Sequence, residues 1–491
     1  MKKRFLFVAL LLLAVLAFSA CGGGNSTTPP ADNVDTTPIT PPADSGETVT
    51  TAVPTDSDNT ATQTTEVQYK EPLFEIIKTG LADGFGFELL DKKPVMENGE
   101  QVMVDAVYYK ETDPAKLALE AATGGKNTII YDDIGNPSIM VRIPAFKWSD
   151  VMEGGEDTLC SAFIVDGKEL DCIYISKYLN IIEDGRAYSL PARDPAHTLT
   201  IDEAREACAK KGAGWHLMTN AEWAALAHWC YTNDTMPHGN TARGKDIYES
   251  WISGVKSTEG NAASAEVWPS DRTLTGTGPD EWSHDRTSSG IFDLNGNVWD
   301  YVAGVRFVNG EIQVIPDNNS ALNVDESVDS TLWRAIDIDG NLVAPGSPNT
   351  YKYDGTIPGI AERDMIGLAD GGVFLSTTVT NPMYSGELTG EYGDACAYTF
   401  QPFNTVYAAP GLEPHILLKE LALYPVSQDI DNGNFFIRNY GERTVARGGS
   451  WYDGRSSGMW DLYARESRSF VFPDIGFRSA YFELPGQNNG Q

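Results

Sequence analysis

The chain has 491 residues, with 36 Lys and Arg against 69 Asp and Glu, giving a formal net charge of −33. A sequence-independent nucleic-acid binder needs a basic footprint, so that class is excluded and no nucleic-acid partner is expected; the acidity reads as solubility. A hydrophobic share of 41%, with 10% aromatic, fits a packed globular protein and excludes a chain disordered throughout.

Lys2, Lys3 and Arg4 form a positive start, residues 5–17 are apolar and uncharged, and the small Ser19 and Ala20 precede Cys21. That order reads as a secretory signal over residues 1–20, too short and wrongly flanked for a stable membrane span. Phe18 stands where a lipobox more usually has Leu. Cleavage before Cys21 frees a thiol and an α-amine for acylation, and two or more acyl chains hold a protein on a bilayer. Cys21 is therefore the expected lipidation site and the expected link to the membrane. Residues 21–67 follow, dominated by Gly, Ser, Thr, Pro, Asp and Ala, with no Lys or Arg. Such a segment buries too little to offset its ordering entropy, and reads as a disordered tether that displays the rest of the chain.

Residues 68–137 read as a small mixed α/β unit. Its clearest element is a helix with Asp113 at the N-cap, Pro114 at N1, apolar Leu117 and Leu119, and a stop at Gly124 and Gly125. From 138 to 482 the pattern is one of short strands and long loops. Strands are expected over 140–144 and 173–175, with turns at Asp166-Gly167 and Asp184-Gly185. Cys160 and Cys172 flank the first turn, and Cys208 and Cys230 fall on consecutive helices. Each pair either forms a disulfide in an oxidising compartment or stays as buried free thiols, with Cys396 left over.

Two capping boxes follow. Thr200-Ile201-Asp202-Glu203 opens a helix through Ala204, Ala207 and Cys208 to a Gly212 stop; Thr219-Asn220-Ala221-Glu222 opens another with Trp223, Leu226, Ala227 and Cys230 at helical spacing. Past Trp229 the chain is rich in Gly, Pro, Asn, Asp and Ser, with Trp spread through it, and should be loop-dominated and held by buried aromatics. Asn309-Gly310 and Asp339-Gly340 carry type I′ hairpin chemistry. A final strand pair is expected from 444–446 and 475–482, before a tail at 483–491.

Phosphate-loop, zinc-helix, nucleophile-elbow and Cys-x-x-Cys signatures are absent. The six histidines are scattered, and His216 and His228 read as hydrogen-bonded structural residues. No cofactor is expected, and no set of metal ligands is assigned. Asp293, Asn295 and Asp300 around Gly296 are hard oxygen donors of the kind calcium takes, and equally make an Asx-rich turn. One stretch stands out. Arg447-Gly448-Gly449-Ser450-Trp451 opens it and Ile475-Gly476-Phe477-Arg478 closes it, with an aromatic-rich excursion between. Rigid aromatics with Ser and Arg are what recognition loops use, because they give contact area at low entropic cost.

His216-Leu217-Met218-Thr219-Asn220-Ala221-Glu222-Trp223, Asp293-Leu294-Asn295-Gly296-Asn297-Val298-Trp299-Asp300 and the 447–478 stretch come in the order of three motifs of the formylglycine-generating (sulfatase-modifying factor) domain family. The resemblance covers about 138–482, with a long insertion at about 306–403. It implies an α+β, C-type-lectin-like fold. Catalytic members hold a copper-binding cysteine pair just after the Gly-Gly-Ser motif. Those places hold Asp453 and Gly458 here, and no cysteine follows Cys396. Cu(I) chemistry needs soft thiolates, so no oxidase activity is expected.

The chain also resembles the variable proteins of diversity-generating retroelements. These use the same fold, often as surface lipoproteins, and end in a diversified segment with similar boundaries. That likeness implies a non-catalytic receptor or adhesin on the bacterial cell envelope, binding an exterior macromolecular ligand, by preference a protein. The expected contact residues are Tyr452, Asp453, Arg455, Ser456, Trp460, Tyr463, Arg465, Phe470, Phe472 and Asp474. Trp451, Ile475, Phe477 and Arg478 are expected to form the scaffold. The rivals are an ordinary non-catalytic member or a divergent enzymatic member of the same domain family, and a calcium-dependent lectin.

Overall fold

The computed structural model describes residues 114–257, 271–357, 371–384, 398–430 and 433–483, together with the strand backbone of a hairpin formed by β1 (Glu88–Glu97) and β2 (Glu100–Tyr108). The chain divides into two units, Met1–Lys70 and Glu71–Gln491. The signal segment, Cys21 and the tether lie outside the described residues, as do Cys396 and nearly all of the 483–491 tail. Among the described residues no helix is long and apolar enough to cross a membrane.

Short strands and few helices make the second unit α+β and loop-rich. The first helix, α1 (Pro114–Ala122), starts at the expected proline, and the chain leaves it through Gly124 and Gly125, both with φ above +60°. Next come β3 (Asn127–Tyr131), β4 (Pro137–Pro144) and α2 (Trp148–Val151). The Asp166-Gly167 turn, with φ of 53° and 66°, joins β5 (Ile164–Val165) to β6 (Lys168–Glu169); β7 (Cys172–Ser176) follows. Asp184-Gly185 joins β8 (Asn180–Glu183) to β9 (Arg186–Ser189) in the same way.

Both capping boxes close. The Thr200 hydroxyl accepts from the Glu203 amide at 3.2 Å, and the Glu203 carboxylate accepts from the Thr200 amide at 2.8 Å, opening α3 (Ile201–Ala209). Thr219 and Glu222 do the same at 3.2 and 2.9 Å for α4 (Asn220–Thr232), which follows β10 (Trp215–Leu217). Helix α4 is buried on nearly every face, so it runs through the core rather than over it.

The remaining elements are β11 (Trp299–Val308), β12 (Glu311–Val314), β13 (Arg334–Ile336), β14 (Leu342–Val343), β15 (Lys352–Gly355), β16 (Val373–Ser376), β17 (Thr399–Pro402), α5 (Ile416–Glu420), β18 (Asn434–Ile437), β19 (Glu442–Arg447), β20 (Leu462–Ala464), β21 (Ile475–Phe477) and β22 (Ser479–Tyr481). A five-stranded sheet runs β10-β22-β7-β4-β3. An eleven-stranded sheet has the path β14-β13-β12-β11-β19-β20-β18-β17, with β15, β16 and β21 attached.

Several expectations change. Strand β3 pairs along its length with β4, so the boundary placed at 137/138 falls inside a sheet. The 306–403 stretch supplies β12 to β17 to the large sheet. Strand β11, which runs into its start, sits in that sheet as well. The final strands do not pair with each other. Strand β19 lies antiparallel to β11, with Asp300 opposite Arg447, whereas β21 lies parallel to β11 on its other side, with Asp300 opposite Gly476. Strand β22 belongs to the other sheet. The Asp339-Gly340 turn is not type I′. Only Gly340 has positive φ, and the Asp337 carboxylate braces the loop by accepting from the amides of Asp339 and Asn341 at 3.0 and 2.8 Å.

Of the two alternatives for the cysteine pairs, the structure has free thiols at Cys160, Cys172, Cys208 and Cys230, with Cys172 only partly buried. Cys208 belongs to one apolar cluster and Cys230 to another, while Cys160 and Cys172 lie beyond the ends of the β5–β6 ladder that was to bring them together. His216 bonds Glu222 at 2.9 Å and His228 bonds the Lys419 carbonyl at 2.9 Å, so both are fixed within the core.

A candidate recognition surface at residues 450–474

The segment is framed by backbone geometry that only glycine permits. Gly448 and Gly449 have φ of +87° and +78°. A Cβ on Gly448 would lie 2.7 Å from the Leu294 carbonyl oxygen, and one on Gly449 would run into the Ser457 hydroxyl. These close approaches let the Gly296 amide donate to the Gly448 carbonyl at 2.8 Å, and the Trp451 amide to the Asn297 carbonyl at 3.0 Å. The entry is thereby tied to the second of the three motifs. The exit is tied to the same place, because the Trp299 amide donates to the Asp474 carbonyl at 2.7 Å where β21 begins.

Beneath the frame, Arg478 is fully buried between the two sheets. It donates to Asp300 Oδ2 at 2.9 Å and to the carbonyls of Asp293 and Phe292 at 2.9 and 3.1 Å. Burial pushes both Asp293 and Asp300 up to about 6, against the pull of Arg478. Calcium at Asp300 would have to compete with a guanidinium already seated on that carboxylate. Among the described residues no group of three or more His, Cys, Asp or Glu could hold a metal ion.

The expected contact residues fall into two groups. Tyr452 is 37% exposed, Arg455 is exposed, and Asp453, Ser456, Arg465, Phe470 and Phe472 are half-buried. Phe470 and Phe472 stack on each other at 5.9 Å. Three others do not present themselves as contacts. Trp460 is 1% exposed and packs its ring edge-on against His228 and Tyr231, at 5.2 and 5.9 Å. Tyr463 is buried on β20, its ring 4.7 Å from Trp299. Asp474 is 3% exposed. For Trp460 and Tyr463 the reason is β20 itself: flanked by β18 and β19 inside the large sheet, it buries the whole run from 457 to 464, whereas Asp474 is buried where β21 begins. The expected scaffold residues Trp451, Ile475, Phe477 and Arg478 are all buried.

The polar groups form a connected cluster. The Tyr452 hydroxyl donates to Asp474 Oδ2 at 2.6 Å, while Asp474 Oδ1 is buried without a partner. Asp453 accepts from the Ser450 amide and hydroxyl at 2.7 and 2.6 Å. Burial, reinforced by the Asp453 charge, pushes Asp474 up to about 7, and burial pushes Asp453 up to about 6. Glu466 goes the other way. Gripped by Arg438 at 2.8 Å and Arg465 at 2.6 Å, it falls to about 2 despite burial. The Arg465 guanidinium lies 4.3 Å from the Tyr398 ring centre. The cluster therefore couples a surface tyrosine to a carboxyl that changes charge near neutral pH.

A second surface element was missed in the sequence. The 246–252 loop is closed by the Asp246 amide donating to the Ile252 carbonyl at 3.3 Å, and stiffened by Asp246 Oδ1, which accepts from the amides of Tyr248 and Glu249 at 2.7 Å each. It holds Trp251 78% exposed and Tyr248 46% exposed. The Trp-bearing loops were expected to bury their aromatics, and Trp282, Trp299 and Trp333 do. Trp251 differs because its loop folds back on its own backbone bonds and leaves the side chain outside. No family model and no curated protein matches the chain.

Proposed function

We propose that the chain is a lipid-anchored surface binding protein of the bacterial envelope, without catalytic activity, which contacts an exterior protein ligand through the 450–474 segment. The domain that carries the segment is, in this reading, C-type-lectin-like. It belongs with the non-catalytic branch of formylglycine-generating-enzyme-like domains that includes retroelement-diversified variable proteins. One observation carries the proposal: an excursion pinned at both ends to the stretch 296–299 offers Tyr452 and Arg455 to solvent, with the half-buried Phe470–Phe472 pair on the same segment. A rigid frame with exposed aromatics and arginine is what concentrated binding energy requires. Asp453 and Gly458, at the places of the copper-binding cysteines, support the non-catalytic part.

The test is a binding screen against exterior bacterial and host proteins, repeated with Tyr452→Ala and with Phe470→Ala/Phe472→Ala. A true ligand should lose at least about thirtyfold in affinity for one of these, the loss of about 2 kcal/mol that marks an anchor residue. A ligand indifferent to all of them would place recognition elsewhere and sink the reading.

A further inference from the structure

The exposed 246–252 loop is joined to the recognition segment. The Arg243 amide donates to the Trp451 carbonyl at 2.7 Å, and the Gly454 amide donates to the Thr241 carbonyl at 2.9 Å. The Arg455 guanidinium sits 4.7 Å from the centre of the Tyr248 ring. Tyr452, Arg455, Tyr248 and Trp251 thus belong to adjoining stretches, and Val255, 57% exposed, follows just beyond the loop.

The local charge is balanced where that of the chain is strongly acidic: Arg243, Lys245, Lys256 and Arg455 stand against Asp246, Glu249, Asp271 and Asp453. The acidic groups here are engaged: Asp246 and Glu249 face His238 at 3.4 and 3.7 Å, Asp271 takes Arg243 and Lys256 at 3.1 and 2.6 Å, and Asp453 is held by Ser450. Lys245 and Arg455 are exposed, and neither has a carboxylate partner among the described residues. An apolar surface edged by two unopposed cations, on a protein of net charge −33, selects for a partner with the reverse arrangement.

We propose that the 246–252 loop and residues 452–456 form one docking surface, anchored by Trp251, for a protein segment that presents an apolar side chain between carboxylates. This rests on the reading of the 450–474 segment as a binding site, and adds to it a second, non-contiguous element and the chemistry of the partner. Exposed tryptophan on a stiff loop loses little conformational entropy on contact and gives the largest apolar area of any side chain, so it takes the central position.

The test uses two displayed peptide libraries selected on the intact chain. One places Leu, Phe or Trp between Asp and Glu; the other places the same residues between Lys and Arg. Enrichment from the acid-flanked library is expected. Trp251→Ala should weaken the selected clones at least about thirtyfold, and Lys245→Ala/Arg455→Ala should weaken them and flatten their salt dependence. Trp251 is exposed, so the variant should melt with the wild type, and equal melting curves would exclude unfolding as the cause of lost binding.

Enrichment from the basic library alone, from neither library, or of clones indifferent to Trp251→Ala would overturn the inference. Clones that need Trp251 but not Tyr452, or Tyr452 but not Trp251, would overturn it; the recognition segment itself falls only if Tyr452→Ala and Phe470→Ala/Phe472→Ala are both without effect. A sialylated oligosaccharide, the other anionic ligand suited to aromatic and cationic groups, is assayed in parallel. Its binding with the peptides silent would refute the protein assignment.

Discussion

Asp474 is the group at which the frame and the surface meet, and replacing it by Asn separates its charge from its shape. The amide oxygen of the variant can still accept from the Tyr452 hydroxyl, now 2.6 Å from Asp474 Oδ2, and the side-chain volume hardly changes. An unfolded aspartate titrates near 3.9. Burial and the neighbouring Asp453 carry the folded value to about 7. Between those two pH values the folded protein keeps a proton that the unfolded chain has lost. The wild type is therefore destabilised as pH rises through that window.

At about 1.4 kcal/mol per pKa unit, the full shift corresponds to roughly 4 kcal/mol. That figure is an upper bound because Asp453 shares it, so about 2–4 kcal/mol is expected. Urea unfolding of wild type and Asp474→Asn from pH 4 to pH 8.5, at fixed ionic strength, measures the difference. The two proteins should be close at pH 4, and the variant should become the more stable one above pH 7. A difference independent of pH, or a wild type that gains on the variant as pH rises, would refute the placement of a buried, under-satisfied carboxylate there.

Removing one partner of a buried ion pair costs about 3–5 kcal/mol, so Arg478→Met should destabilise strongly in denaturant unfolding. Adding Asp300→Asn to that variant should recover part of the loss. Trp451→Ala should cost about 3–5 kcal/mol, whereas Tyr452→Ala with Ser456→Ala should shift the melting temperature far less, as calorimetry would report. Mass spectrometry of the native protein should find Cys21 as an acylated mature N-terminus; a soluble, unmodified form recovered from cells would contradict the anchor.

The parts of the fold legible in the sequence are those set by local bonds. Thr200 and Glu203, or Thr219 and Glu222, satisfy each other's backbone within four residues, so residue type and spacing suffice. Asp166-Gly167 and Asp184-Gly185 need positive φ at both positions, and their chemistry announces it. What escaped is non-local. Nothing in Ile475-Gly476-Phe477 states that its neighbour is β11 in parallel register, a contact made across more than a hundred residues. Trp460 and Tyr452 look alike as aromatic members of one segment. Their opposite burial comes from β20 sitting mid-sheet, which depends on β18 and β19 and not on either residue. Cys208 and Cys230 lie close in sequence, but their helices pack into different apolar clusters.

These placements narrow what the candidate segment can vary. At its entry, Trp451 is bound to Asn297, and at its exit Asp474 is bound to Trp299. Between them, the 457–464 run is buried throughout: Trp223 Nε1 donates to the Met459 carbonyl at 2.9 Å, and Arg447 donates to the Asp461 carbonyl at 3.0 Å. A change in that run would disturb α4 and the large sheet together. The positions left are two short stretches, 452–456 and 467–472, separated in sequence by a strand of core. In the second, Arg468 is already committed to Asp202 and Glu442, at 2.9 and 3.1 Å. Recognition by so few side chains would have little area of its own. Pairing the first stretch with the Tyr248–Trp251 loop supplies rigid aromatic surface that does not depend on the identity of the neighbouring residues. On the proposed reading, the frame leaves a handful of positions open to change, and the exposed Trp251 beside them would carry part of the contact.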